Sequence, residues 1–382
     1  MTDTAAPSPS GRQASTSLFD GWRRFRNRLV GSPRFQALAQ KTPGARAIAR
    51  KDGEKLFDLI AGFTYTQTLY ALTETGLIDA MAEGARPLSS LAYGAQLPAD
   101  RAEMLLKGGE ALGLVERWSG GYGLTRLGAA FRGAPGLREL VLHHRELYQD
   151  LTDPKEVLTG EADTRLARYW PYVFGAEAAE DVDTAQTYSE LMTRSLAMVA
   201  DDTLAAVSFS GVRRLMDVGG GVGAFLIAAG RKWPDLKLTL FDLPAVAGAA
   251  RDAFDAAKMT NRADIRLGNF REAVPATDAD AISLIRVLYD HKDETVRALL
   301  SQVYKALPSG GRLIVSEPMS GGDAPHRFGD VYFALYCQAM RTGRVRSADR
   351  ISALMEDAGF TRTRAPRTRR DYVTSVVTGM KV

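Results

Sequence analysis

Asp217-Val218-Gly219-Gly220-Gly221-Val222-Gly223 stands where a strand-like run, Arg214-Leu215-Met216, gives way to a helix-forming one, Ala224 to Trp233. A second strand-like run, Leu236 to Phe241, follows and closes on Asp242-Leu243-Pro244. Strand, glycine loop, helix, strand and terminal acid make one βαβ unit of the nucleotide-handling type. Glycines let the backbone approach a ligand where a Cβ would collide. An acid at the end of the second strand can accept hydrogen bonds from ribose hydroxyls.

Outward from this unit, strand and helix keep alternating. The sequence predicts strands at 213–218, 236–241, 263–267, 280–287, 311–317 and 372–380, and helices at 224–233, 244–257, 293–306 and 347–358. That alternation specifies an α/β fold with a doubly wound, Rossmann-like sheet. The region ahead of it is mostly helical. Leu56, Leu59, Ile60 and Phe63 recur at helical spacing, and a helix is expected from Ala99 to Leu112. Leu114 to Thr125, turning at Ser119-Gly120-Gly121, reads as a hairpin, which completes a winged-helix-like pattern. Its would-be recognition helix carries Asp100, Glu103 and Glu110 against Arg101 and Lys107. A net negative helix has the wrong sign for a major groove, so the module reads as scaffold and dimerisation domain, with no nucleic acid expected. The expected segments are a disordered tail and basic amphipathic stretch (1–50), a winged-helix-like dimerisation domain (51–150), a helical linker contributing to a substrate pocket (151–210) and the nucleotide-binding domain (211–382).

The loop also selects its ligand. Gly219-x-Gly221-x-x-Ala224 loosely satisfies a dinucleotide fingerprint. Asp217, however, would repel a pyrophosphate and suits a cationic amino-acid end. S-adenosyl-L-methionine has such an end, a ribose and no phosphate, so it is preferred over NAD. In this reading Asp217 faces the methionine amino group, Gly219 and Gly221 allow close approach, Asp242 binds the ribose and Leu243 lies beside the adenine.

Composition narrows the alternatives. With 382 residues and 45% hydrophobic content the chain can build two cores. It contains no apolar run of about 18 residues. Its polar start does not resemble a signal peptide, so cytoplasmic residence is expected. The single cysteine, Cys337, excludes an intrachain disulfide and a Cys-based metal cluster. The four histidines, His143, His144, His291 and His326, lack metal-ligand spacing, so no metal is expected. The net charge of +4 is unevenly placed: Leu18 to Lys55 holds ten basic residues against three acidic ones. There Leu18, Trp22, Phe25 and Leu29 recur at helical spacing among arginines, up to a stop at Pro33. Two readings stay open: an interfacial helix on anionic lipid, giving peripheral membrane contact, or a helix packed on protein. A second basic run, Arg362, Arg364, Arg367, Arg369 and Arg370, reads as a solvated loop.

Taken together, these motifs resemble the S-adenosylmethionine-dependent O-methyltransferases that carry a helical, winged-helix-like dimerisation domain. The likeness runs through Asp217 to Gly223, Phe241 to Pro244, Arg286 to His291, Leu307 to Glu317 and Asp357 to Phe360. More narrowly, the basic aromatic N-terminal extension, Val287 to Glu294 and Ser316 to Gly322 resemble the bacterial carotenoid methyltransferases of the hydroxyneurosporene and demethylspheroidene type. The resemblance implies a homodimer at a photosynthetic membrane. It implies attack of a carotenoid hydroxyl on the sulfonium methyl, giving a methyl ether and S-adenosyl-L-homocysteine. Cofactor residues by resemblance include Asn269, Phe270 and Arg286. The family usually has an acid near the adenine where this chain has Asn269, whose side-chain oxygen can still accept. The family also usually has His-Asp-Trp after the fourth strand. Here the triplet is Tyr289-Asp290-His291, so Tyr289 would orient the hydroxyl while His291 takes the proton; otherwise His291 only precedes a helix capped by Asp290 or Asp293. Glu317 ends the fifth strand at the ligand-facing edge. A pocket of Phe174, Met192, Met319, Tyr332, Phe333, Tyr336 and Met340 is expected, with a helix from His326 to Met340 over it. Competing readings are O-methylation of a phenol or polyketide, C-methylation of a tetrapyrrole, and a non-catalytic winged-helix regulator that senses S-adenosylmethionine.

Overall fold

The computed structural model describes residues 18–169 and 196–382. The expected tail at 1–17 and the expected pocket residues Phe174 and Met192 lie outside the described residues. The chain divides into two compact units, Met1–Leu69 and Tyr70–Val382.

The first unit holds α1 (Leu18–Val30), α2 (Pro33–Lys41) and most of α3 (Pro43–Glu74). Pro33 does not only stop the preceding helix. It opens α2 at the first helical position, where the missing N–H is not needed. Phe19, Trp22 and Phe25 of α1 and Leu56, Leu59, Ile60 and Phe63 of α3 are all exposed.

The second unit begins with α4 (Leu77–Ala80), α5 (Leu88–Gly94), α6 (Ala99–Ala111) and the hairpin of β1 (Val115–Trp118) and β2 (Gly121–Leu124). Gly121, at φ +131, passes so close to the Arg86 carbonyl that no side chain fits there. Next come α7 (Arg126–Gly133), α8 (Leu137–Asp150), α9 (Pro154–Thr159) and α10 (Arg165–Tyr169). A further helix, α11, covers residues 196–206.

The large sheet grows from β3 (Arg214–Val218), which pairs in parallel with β4 (Lys237–Asp242) on one side and β6 (Ala281–Ile285) on the other. Parallel β5 (Ala263–Leu267) lies beyond β4, and β7 (Arg312–Glu317) beyond β6. Two antiparallel strands, β8 (Thr361–Arg364) and β9 (Ser375–Met380), complete a seven-stranded sheet of order β5-β4-β3-β6-β7-β9-β8. The order reverses beside β3, which places a ligand crevice at the carboxyl ends of β3, β4 and β6.

Strand residues alternate between two apolar layers, as a sheet covered on both faces requires. Met216, Val218, Ile282, Leu284, Leu313 and Val315 pack with α14 (Asp293–Ala306) and α16 (Ala348–Asp357). Leu215, Leu238, Leu240 and Ile314 pack with α11, α12 (Ala224–Lys232) and α13 (Ala247–Ala256). The expected helix at 244–257 starts as a 3₁₀ turn, Pro244–Val246. The expected helix at 326–340 is a π-helical turn, Phe328–Phe333, continued by α15 (Ala334–Ala339). The expected loop at 362–370 is corrected at its start: Thr361–Arg364 is edge strand β8. Its arginines leave no apolar alternation to read, and charge on an edge strand blocks unwanted pairing.

Candidate active site

On one side of the crevice lies a nucleotide cradle. Asp217, the penultimate residue of β3, has no exposure at all. Its Oδ1 accepts from Ser283 Oγ at 2.6 Å, and its Oδ2 is buried with no hydrogen-bond partner. Burial pushes this carboxyl up to about 7, against the Ser283 hydrogen bond. Gly219, Gly221 and Gly223 take left-handed backbone (φ +72, +58 and +78), and a Cβ on Gly220 would strike Asp217 Oδ2. Asp242 ends β4, accepting from Gly221 N and Leu243 N, each at 2.7 Å. Phe270 lies near the loop: a Cβ on Gly219 would be 3.6 Å from its ring. Asn269 Oδ1 accepts from Arg271 N at 3.0 Å. An orphaned carboxylate oxygen beside left-handed glycines, with a second acid one strand away, fits a ligand with a cationic end and vicinal hydroxyls.

On the other side β6 runs into Arg286, a non-glycine residue at φ +58, and then the 3₁₀ turn Leu288–Asp290. Arg286 Nη2 donates to Tyr289 Oη at 3.0 Å. Tyr289 is fully buried, and burial raises its phenol above the usual range despite the Arg286 charge. Asp290 Oδ1 and Glu317 Oε1 are buried without hydrogen-bond partners. Burial lifts the Asp290 carboxyl well above the ordinary range against the pull of Arg286; Glu317 adds to the rise and a hydrogen bond from Tyr289 opposes it. Burial likewise takes Glu317 to about 7.

The triplet splits between the two sides. His291 packs edge-on to Phe270, ring centroids 5.4 Å apart, with its Nδ1 3.4 Å from Arg271 Nη2. Burial and the charges of Arg271 and Arg346 lower its pKa to about 3. His291 thus turns to the nucleotide side while Tyr289 engages Arg286. Arg286, expected among the cofactor residues, reaches toward Tyr289.

The expected pocket residues also divide. Tyr332 stacks on His144 at 5.5 Å and meets Phe333 edge-on at 4.8 Å. Tyr336 Oη is 2.9 Å from His143 Nε2. Met340 packs in one cluster with Tyr336, Leu147, Val157 and Leu166. Met319 instead belongs to the sheet core with Leu313 and Val315. His143 and His144 come from α8, and in the sequence they stand out only as histidines without metal-ligand spacing. Their neighbour Tyr148, one turn beyond His144, was the available signal of an aromatic face there. Burial, then His144 and Arg286, lowers His143 to about 4. Among the described residues no group of three or more His, Cys, Asp or Glu is placed to hold a metal ion, and no helix is long and apolar enough to cross a membrane.

An O-methyltransferase domain model matches residues 148–361. The chain is 49% identical over 362 residues to demethylspheroidene O-methyltransferase of Cereibacter sphaeroides, covering 94% of this chain and 96% of that one. It is 43% identical over 381 residues to demethylspheroidene O-methyltransferase of Rhodobacter capsulatus, covering 98% and 95%. Among solved structures it resembles CalO1, a methyltransferase of calicheamicin biosynthesis in its SAH-bound form, with TM-score 0.72 and 25% identity over 87% of this chain and 98% of that one.

Proposed function

The chain belongs to the O-methyltransferase family, and we propose that it methylates the hydroxyl of an acyclic carotenoid of the demethylspheroidene or hydroxyneurosporene type, giving a methoxy carotenoid. It is an S-adenosylmethionine-dependent enzyme. The observation that carries the substrate is the 49% identity, sustained over nearly the whole of both chains, to a relative of that name.

When bound, the cofactor supplies an electrophilic methyl on a sulfonium. Asp217 would hold its amino group, the glycine loop would lie along its methionine portion, Asp242 would hold its ribose, and Leu243, Asn269 and Phe270 would flank its adenine. Tyr332, Phe333, Tyr336 and Met340 receive the polyene. A carotenoid alcohol is too weak an acid to be ionised beforehand, so proton loss accompanies or follows transfer, and alignment supplies much of the rate. Tyr289 orients the hydroxyl, steadied by Arg286. The proton would pass through Tyr289 to the Asp290 carboxyl, which can take it only in its ionised form, the form that burial disfavours. His291, depressed to about 3 beside Arg271, is the weaker acceptor and serves the nucleotide side.

Residues 51–150 form the dimerisation domain, 151–210 the linker to the pocket and 211–382 the catalytic domain. The exposed stripe Leu56, Leu59, Ile60 and Phe63 at i, i+3, i+4, i+7 supports a homodimer through α3. Exposed Trp22 and Phe25 among the arginines of α1 support peripheral contact with a cytoplasmic-side membrane. The test offers labelled S-adenosylmethionine with lipid-dispersed hydroxylated carotenoids and with simple phenols. Label on the carotenoid as an ether is expected. Label on phenols alone would discard the carotenoid.

A further inference from the structure

The 3₁₀ turn that carries Tyr289 and Asp290 is tied down by groups remote in sequence. Tyr289 N donates to Glu317 Oε2 at 3.1 Å, and Tyr289 O accepts from Arg344 N at 2.7 Å. Gly343 runs so close that a Cβ there would lie 2.5 Å from Tyr289 O. Cys337 Sγ donates to Tyr289 O at 3.7 Å, and Arg346, its side chain only 1% exposed, makes further ties. Its Nη1 donates to Leu288 O at 2.8 Å and Arg344 O at 3.0 Å, and its Nη2 to His291 O at 2.7 Å. Its Nε and Nη2 hold Asp293 Oδ1 at 2.9 and 2.7 Å. Asp293 opens α14, where an anion is favoured. Partial burial would raise this carboxyl, but hydrogen bonds from Arg350 and Arg346 take it down to about 2, so it stays ionised.

We propose that Arg346, locked on Asp293, is a positioning residue for methyl transfer: it fixes the carbonyls on both sides of the turn that aims Tyr289 and Asp290. The inference rests on the reading of those two residues as the groups that meet the acceptor hydroxyl. Only a planar fork can serve three loop carbonyls and a carboxylate at once. A lysine offers one compact ammonium and must abandon some of them. Left free, the turn swings within the crevice, and misplacement on the ångström scale is enough to cost about a hundredfold in rate. A cavity of 210 Å³ beside the latch, lined by Asp293, Ser320, Arg344, Arg346, Ser347 and Arg350, lets water reach a shortened side chain, so Arg346→Lys is expected to fold.

The experiment measures amide hydrogen exchange of the full chain with cofactor bound, together with steady-state kinetics. In Arg346→Lys the amides of 289–291 should exchange about tenfold faster or more, while β6 and β7 stay protected. Turnover should fall about ten- to hundredfold, with cofactor affinity within about twofold. Asp293→Asn should reproduce both effects. Arg297→Lys should not, because Arg297 reaches Asp293 only at 3.8 Å from an exposed site. Unchanged protection at 289–291 in both Arg346→Lys and Asp293→Asn overturns the proposal. So does lost protection with full turnover, or loss of protection across the whole sheet in both variants, which would make Arg346 a folding residue. If the wild-type chain labels no carotenoid, the substrate reading fails, and exchange at 289–291 still decides the latch.

Discussion

Arg286 Nη2 donates to Tyr289 Oη at 3.0 Å from a backbone held at φ +58. A left-handed conformation costs a non-glycine residue about 1–2 kcal/mol, and here it delivers a guanidinium to a fully buried phenol. If that phenol meets the acceptor hydroxyl, Tyr289→Phe should lower turnover by about 10²- to 10⁴-fold and leave cofactor affinity within about twofold. Initial rates and calorimetry on the same preparation separate the two. Near-normal turnover in Tyr289→Phe would remove the residue from the reaction.

How far the site could be read in advance differs between its halves. Asp217, the glycines and Asp242 were legible because a βαβ unit fixes their spacing, and strand ends place them in one crevice. The triplet was legible in position and not in direction. Residues on a 3₁₀ turn follow neither the helical nor the strand period, so nothing in Tyr289-Asp290-His291 says that Tyr289 meets Arg286 while His291 meets Phe270. His143 joins Tyr336 across 193 positions and Arg346 joins Leu288 across 58, and a single sequence carries no mark of such pairings. Strand β8 escaped because an exposed edge needs only backbone bonds, and Thr361–Arg364 has no apolar alternation.

If Asp217 meets the cofactor's amino group, cofactor binding should depend on pH. Burial leaves its carboxyl near 7 without a ligand, so below that pH a proton must leave before a cationic amino group can pair with it. Affinity should rise about tenfold per pH unit up to roughly 7 and fall again above roughly 8, as the ligand's α-amino group loses its charge. Calorimetry in buffers of different ionisation heat should register proton release near pH 6. Asp217→Asn should bind weakly with a flat acid limb. A wild-type affinity independent of pH from 5.5 to 7.5 would mean that Asp217 does not meet the cation.

Two buried histidines set the acid limit of stability. Burial lowers His143 from 6.5 to about 4 and His291 from 6.5 to about 3. Both folded values lie below the unfolded one, so the unfolded chain binds more protons under pH 6.5. The stability contributed is complete above pH 6.5 and is lost as pH falls toward 4 and then 3. Across that window His143 is worth at most about 3 kcal/mol and His291 at most about 5 kcal/mol. Urea unfolding at pH 4.5, 5.5 and 7 should show this decline, and His143→Gln and His291→Gln should each flatten it. Curves for the variants that run parallel to the wild type would show that neither histidine is held neutral by the fold.

Helix α1 supplies the last prediction. Phe19, Trp22 and Phe25 are 75%, 59% and 58% exposed, and Arg23, Arg24, Arg26 and Arg28 lie among them. Inserting the rings would contribute about 1.5–3 kcal/mol each at full burial, and each arginine about 1 kcal/mol near an anionic surface. The sum, less the incomplete burial of an interfacial helix, predicts reversible binding and no permanent anchor. Cosedimentation should therefore capture the full chain on vesicles containing phosphatidylglycerol, release it with added salt, and leave it largely free of pure phosphatidylcholine. Replacing Trp22 and Phe25 by serine should abolish capture on the phosphatidylglycerol vesicles. Replacing the four arginines by glutamine should remove only the salt-sensitive part. If the wild type ignores both vesicles and the serine variant instead changes its mass in solution, α1 is a contact between protein chains, and delivery of the carotenoid must be sought elsewhere on the molecule.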